Sequence, residues 1–135
     1  MRKTIIVAAA IILNDQDQLL LVRKANTHFF MQVGGKLEID EAPEQTMLRE
    51  IAEEIGVEAK IVQDLGRFET QAANEAGHQL LAYVYHVKIE AEPKIAAEIA
   101  EMKWMDLHDQ TTALAPLTRD VVIPWCQRYL QGEAV

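Results

Sequence analysis

The sequence predicts an α/β domain in which a mixed β-sheet is sandwiched between helices, an α/β/α arrangement. Short apolar runs with strand-like composition recur along the chain, and two segments carry apolar residues at helical spacing. The chain has 135 residues, half of them apolar, which suits one compact domain with its own core. Residues 1–135 are therefore read as a single domain.

In chain order, Thr4–Leu13 and Gln18–Lys24 read as strands joined by the polar turn Asn14–Asp17. Phe29–Val33 is short extended chain leading into Gly34-Gly35. Pro43 suits a first helical position and Gly56 suits the residue past a helix end, so a helix is expected over 43–55. Ala42 is a weak N-cap, because it offers no side-chain oxygen. Ala59–Thr70 and Gln79–Ile89 read as longer strands around the turn Ala73–Gly77, and a short strand is expected near Lys103–Met105. Val122, Ile123, Cys126, Tyr129 and Leu130 give Arg119–Leu130 a helical spacing, with Pro124 an awkward interior residue.

Arg2 and Lys3 before Thr4–Leu13 imitate the start of a signal peptide, but no small-residue cleavage site follows. A buried first strand explains the run better, and it is too short to span a bilayer as a helix. The net charge of −8 argues against a nucleic-acid duplex as partner, since such binding relies on Lys and Arg at phosphates. It also means that an anionic substrate needs a metal or local basic residues to approach. A single cysteine, Cys126, cannot form an internal disulfide, which fits a reducing cytoplasm.

The chemistry lies in the run from Gly35 to Val57. Its helix places Glu50, Glu53 and Glu54 within an arc of roughly 100°. Met47, Leu48, Ile51 and Ile55 lie about 120° away and read as the buried stripe. Like charges stacked at i,i+4 cost a helix about 0.2–0.5 kcal/mol per pair, a term that a divalent cation would reverse. Mg²⁺ suits such a cluster, because it takes oxygen ligands and keeps several waters. A glycine loop beside it lets backbone approach the ion closely.

This run resembles the Nudix box: Gly, five residues, Glu, seven residues, then Arg-Glu-U-x-Glu-Glu-x-Gly-U, where U is a bulky aliphatic. Gly35, Glu41, Arg49, Glu50, Ile51, Glu53, Glu54, Gly56 and Val57 fill all nine defined positions. Ordinary residue usage gives such a match on the order of once in ten million chains, so the signal is specific. The resemblance implies the Nudix fold and hydrolysis of a phosphoanhydride in a nucleoside diphosphate linked to another group. It implies Glu53 and Glu54 as principal metal ligands, with the Gly35 carbonyl as a further one and Glu50 as ligand or base. Glu41 would support or join the metal shell, and Arg49 would orient a glutamate by ion pairing. Mg²⁺ is the expected ion, with Mn²⁺ as a substitute. Many relatives pair as homodimers, but no residue here marks an interface.

Outside the box, Arg23 and Lys24 could hold phosphate with help from His28. Glu98 and Glu101 are candidates for a distal acid or base, and Glu98 is also a candidate substrate contact. Phe29, Phe30, Tyr83 and Tyr85 could stack on a base, though core packing is the stronger reading. Asn74 and Glu75 read as turn residues. Val33 stands where many members have proline, which bears on loop stiffness and not on the metal site. The proline, tyrosine and Ser-Gln-Pro-Trp-Pro marks of three substrate subclasses are missing. By elimination a (d)NTP or oxidised-nucleotide pyrophosphatase is favoured. A catalytically silent nucleotide sensor and an ADP-ribose or nucleotide-sugar hydrolase are the alternatives.

Overall fold

The computed structural model describes residues 3–133, so Arg2 lies outside the described residues. Its elements are β1 (Lys3–Ile12), β2 (Leu19–Lys24), β3 (Val33–Lys36), α1 (Pro43–Ile55), β4 (Ala59–Gln71), β5 (His78–Ile89), β6 (Ile99–Met105) and α2 (Ile123–Leu130). Four strands form one sheet in the order β3-β1-β5-β4. β1 runs parallel to β5 and antiparallel to β3, which makes the sheet mixed. β2 and β6 form a separate antiparallel pair, so the strands fall into two sheets. β6 begins four residues before the expected Lys103, because Ile99–Met102 already pair with β2.

Strand β1 explains the architecture. Ala8, Ala10 and Ile12 enter a core with Met47, Ile51 and Ile55 of α1, while Ala9 and Ile11 enter a second core with Trp125 and Cys126 of α2. A strand buried on both faces reads as continuous apolar sequence, as Thr4–Leu13 does. β2 divides in the same way, Leu20 and Val22 to one core, Leu19 and Leu21 to the other. Cys126 is fully buried, and burial pushes its thiol up to about 12, which suits a core residue.

Helix α1 begins and ends where Pro43 and Gly56 direct. Gly56 takes the left-handed conformation (φ 68°) and donates its N–H to the Ala52 carbonyl. Ala42 gives no side-chain cap; instead its N–H donates to Gln45 Oε1, half of a capping box. The C-terminal helix departs from expectation. Thr118–Val122 forms a π-helical turn, in which Ile123 donates to the Thr118 carbonyl five residues back. Pro124 then falls in the first turn of α2, where its missing N–H costs nothing.

Beneath α2, Trp125 and Tyr129 stack at 4.9 Å, and the His86 ring meets them at 5.2 and 4.9 Å. Burial lowers the His86 pKa, and its Nδ1 has no hydrogen-bond partner. A histidine held neutral by the fold contributes stability above its ordinary pKa of about 6.5, and that contribution is lost as pH falls below it. His86→Phe should therefore flatten the fall in melting temperature between pH 7 and pH 5. Parallel curves for the variant and the wild type would refute this.

Candidate active site

Helix α1 lies against the edge strand β3 and turns its acidic face toward the two glycines of that strand. With Glu50 as zero, Met47, Ile51 and Ile55 lie near 60°, 100° and 140°, with Glu54 at about 40°. The buried arc takes in Glu54, which is only 2% exposed, and leaves out Leu48 at about 160°, which is exposed. Leu48 therefore does not belong to the expected stripe, because the sheet approaches from the Glu54 side.

Glu54 is the most constrained carboxylate. Its Oε1 accepts the Gly34 N–H at 3.1 Å, while its buried Oε2 has no hydrogen-bond partner and lies 3.9 Å from Lys24 Nζ. Burial pushes its pKa up to about 7, against the pull of the Gly34 N–H and of Lys24. Glu50 packs its carboxylate over Gly35, where an added Cβ would come within 2.6 Å of Glu50 Cδ. Burial raises its pKa too, against the Arg49 hydrogen bond. Glu53 is half-exposed, and its ion-pair partner among the described residues is Arg49.

Arg49 ties the face together. Its Nε and Nη2 donate to Glu41 at 2.7 and 3.0 Å, and Nη1 donates to Glu50 at 2.7 Å. The contacts to Glu53 are longer, at 3.3 and 3.4 Å, so Glu41 and Glu50 are its principal partners. Glu41 also accepts from Thr46 Oγ1 at 2.6 Å and from the Glu38 N–H at 3.2 Å. The Arg49 hydrogen bond above all holds its carboxyl down at about 2. Both its oxygens thus accept hydrogen bonds from protein donors. Lysine cannot reproduce the fork. Arg49→Lys should lower kcat about 10-fold to 100-fold with the fold intact; unchanged turnover would show that Glu50 needs no such support.

A cleft of about 610 Å³ opens beside these residues. It runs from Lys24, Glu50 and Glu98, past Gly34 and Gly35, onto a sheet floor that includes Ile5, Val7 and Leu80. Val7 and Leu80 of that floor pack against the α2-side core. Lys24 and Glu98 therefore line the cleft and face each other at 3.3 Å. Arg23 does not line it; its guanidinium pairs with Glu101 at 2.6 Å and donates to the Thr27 carbonyl. Of the two distal acidic candidates, Glu98 lines the cleft and Glu101 does not. His28 packs edge-on against Phe29 away from the cleft. Phe30 packs against the α2-side core, while Tyr83 and Tyr85 belong with the α1-side core, the stronger of the two sequence readings, and none of the four aromatics lines the cleft. Asn74 and Glu75 lie in the β4–β5 turn and also line the cleft, where Glu75 meets Lys36 at 3.6 Å.

Gln32 and Thr118 are among the lining residues that were not singled out from the sequence. A lone amide between Met31 and Val33, in an otherwise apolar strand approach, was the available signal for Gln32. Nothing local marks Thr118, which reaches the cleft through the π-helical turn.

The donor set fits a hard divalent cation. Glu54 Oε2 is a buried carboxyl oxygen without a hydrogen-bond donor, and Glu50 lies over the Gly35 backbone close by. Among the described residues no three acidic or histidine side chains already converge as a cage. Arg49 and Lys24 hold the carboxylates that a cation would draw together.

The acidic face of α1 thus packs on the diglycine edge strand β3 at the mouth of the cleft. The NUDIX domain model matches residues 3–126, and the chain belongs to the Nudix family. It is 26% identical over 98 residues to a putative 8-oxo-dGTP diphosphatase of Bacillus subtilis, covering 73% of this chain and 64% of that one. It is 39% identical over 72 residues to an 8-oxo-dGTP diphosphatase of Haemophilus influenzae, covering 50% and 53%. The chain thus spans about half to just under two thirds of the length of the curated relatives it matches. Its fold superposes on a MutT NUDIX hydrolase from Burkholderia pseudomallei with a TM-score of 0.78 at 23% identity, covering 91% of this chain and 98% of that one. It also superposes on a UDP-X diphosphatase with a TM-score of 0.76 at 24% identity, covering 98% and 65%. Among the described residues no helix is long and apolar enough to cross a membrane.

Proposed function

We propose that this protein is a divalent-metal-dependent pyrophosphohydrolase acting on a small nucleotide, with a (d)NTP or an oxidised nucleotide as the favoured substrate class. The buried Glu54 oxygen without a partner, beside Gly34 and Gly35 in a complete Nudix box, carries this reading. The names of the diphosphatase relatives support the substrate class. Mg²⁺ is the proposed ion, held by Glu50, Glu53, Glu54 and the Gly35 carbonyl. When bound, such an ion offsets phosphate charge and acidifies a water. Arg49 keeps Glu50 in place through its Glu41 anchor, and Lys24 supplies positive charge at the cleft wall. Glu98, exposed and within reach of Lys24, is the proposed proton acceptor from the attacking water.

A panel of nucleoside triphosphates, oxidised nucleotides, ADP-ribose, nucleotide sugars and dinucleotides with Mg²⁺ tests the reading. Products resolved by chromatography identify both the substrate and the phosphorus attacked. Release of nucleoside monophosphate and pyrophosphate, abolished by chelator, is the expected result. Full activity in excess chelator would sink the metal assignment, and nucleotide binding without product would favour a sensor.

A further inference from the structure

The inner end of the cleft carries a polar device whose polarity the structure fixes. Gln32 is 5% exposed and lines the cleft where the β3 approach meets the π-helical turn. Its Nε2 donates to the Ala10 carbonyl at 3.2 Å, and its Oε1 accepts from Thr118 Oγ1 at 2.7 Å. Rotating the amide by 180° would set Oε1 against the Ala10 carbonyl, two acceptors with no proton between them. The amide orientation is therefore set by chemistry: the NH₂ group belongs on the Ala10 side, and the Thr118 hydroxyl must donate. That arrangement uses one of the two amide N–H groups. The second has no protein partner among the described residues.

Gln32 is thus an amide donor with one spare N–H, clamped at both ends in the cleft wall. From Gly35 to Gln32 is three residues of nearly extended chain, about 10 Å. A nucleotide with its phosphates at Gly35 would thus reach Gln32 with its base, across the cleft floor at Ala9, the β1 partner of Gly34. No aromatic ring lines that floor, so apolar contact there discriminates poorly between bases. A polar group discriminates better, and Gln32 is a buried and oriented one within a lining that also carries Thr118, Asn74 and Glu75. An N–H faces a carbonyl favourably and an amino group unfavourably, since two donors in contact leave both unsatisfied.

Resting on the proposed nucleotide chemistry of this cleft, we propose that Gln32 is its base-specificity residue, selecting a nucleobase that presents a carbonyl over one that presents an amino group. Thr118 acts through it as a positioning residue. By accepting the Thr118 proton, Gln32 cannot turn its own oxygen toward the ligand.

Hypoxanthine and adenine nucleotides test this, because they differ by keto against amino at one ring position, with the ring proton that follows. Wild-type protein should favour the inosine triphosphate over the adenosine triphosphate by 10-fold to 100-fold in kcat/KM, with KM carrying most of the difference. Gln32→Leu keeps the volume and removes the donor, so it should bring the ratio close to one by weakening the inosine nucleotide. Thr118→Val should reduce the ratio by less. Ribose triphosphate, which has no base, should be hydrolysed equally by all three proteins, and this guards against a merely structural effect. Equal losses on all three substrates in Gln32→Leu would overturn the proposal, as would a preference that survives Gln32→Leu or is missing from the wild type. Should the wild type hydrolyse neither nucleotide, the proposed reaction fails. Calorimetric binding of the same three ligands then decides the role of Gln32 by the same ratios.

Discussion

Replacing Glu54 by Gln is expected to lower turnover about 10³-fold, some 4 kcal/mol of transition-state stabilisation, while making the metal-free protein more resistant to heat. The two effects have one cause. Glu54 is buried, one of its oxygens lacks a donor, and burial raises its pKa to about 7. An ionised carboxylate there opposes the fold until a cation offsets it. The glutamine oxygen can still accept the Gly34 N–H, but the side chain no longer carries the charge that a metal requires. Steady-state rates with Mg²⁺ and melting curves in chelator measure the two halves. Glu53→Gln supplies the contrast. Its side chain is half-exposed and paired with Arg49, so turnover should fall by orders of magnitude with no gain in metal-free stability. If Glu54→Gln kept its activity, or if its metal-free form melted below the wild type, the carboxylate would be structural.

Much of this contrast could be read in the sequence, though not all of it. Spacing alone placed the three glutamates together, because helical periodicity is a local property. Helix α1 likewise followed from Pro43 and Gly56, whose backbone restrictions act at their own positions. What spacing could not give was the direction from which the sheet approaches. That direction decides that Glu54 is buried and Leu48 is exposed. The partner of Arg49 was obscured for a related reason: Glu53 is its helical neighbour, but Glu41 reaches it from the preceding loop with better geometry. Arg23 and Lys24, adjacent in sequence, part company because successive residues of β2 point to opposite faces. Lys24 turns to the cleft and Arg23 to Glu101. The split of the strands into two sheets, and the arrival of Thr118 beside Gln32, depend on pairings between distant parts of the chain. No local pattern encodes those.

The neighbouring glycines of β3 should separate fold from function when each is changed to alanine. At Gly34 a Cβ would overlap the Ala8 carbonyl oxygen and come within 2.9 Å of Ala9 Cα. Both are backbone atoms of the central strand β1, which is paired on its two sides and cannot withdraw. Gly34→Ala should therefore cost about 3 kcal/mol or more, appearing as a large drop in melting temperature or as insoluble protein. At Gly35 the three atoms nearest the new Cβ would all belong to the carboxylate of Glu50, with Cδ at 2.6 Å. That group ends a flexible side chain and can rotate away, so the stability cost should stay within about 1 kcal/mol. The rotation moves Glu50 off the Gly35 backbone and breaks its 2.7 Å contact with Arg49, so turnover should fall about 10²-fold. Melting temperature and kcat measured on both variants decide the matter. A Gly35→Ala protein that is stable and fully active would mean that close approach of Glu50 to the β3 backbone is not needed for catalysis. A Gly34→Ala protein that is stable would mean that β1 and β3 pair less tightly than their register indicates.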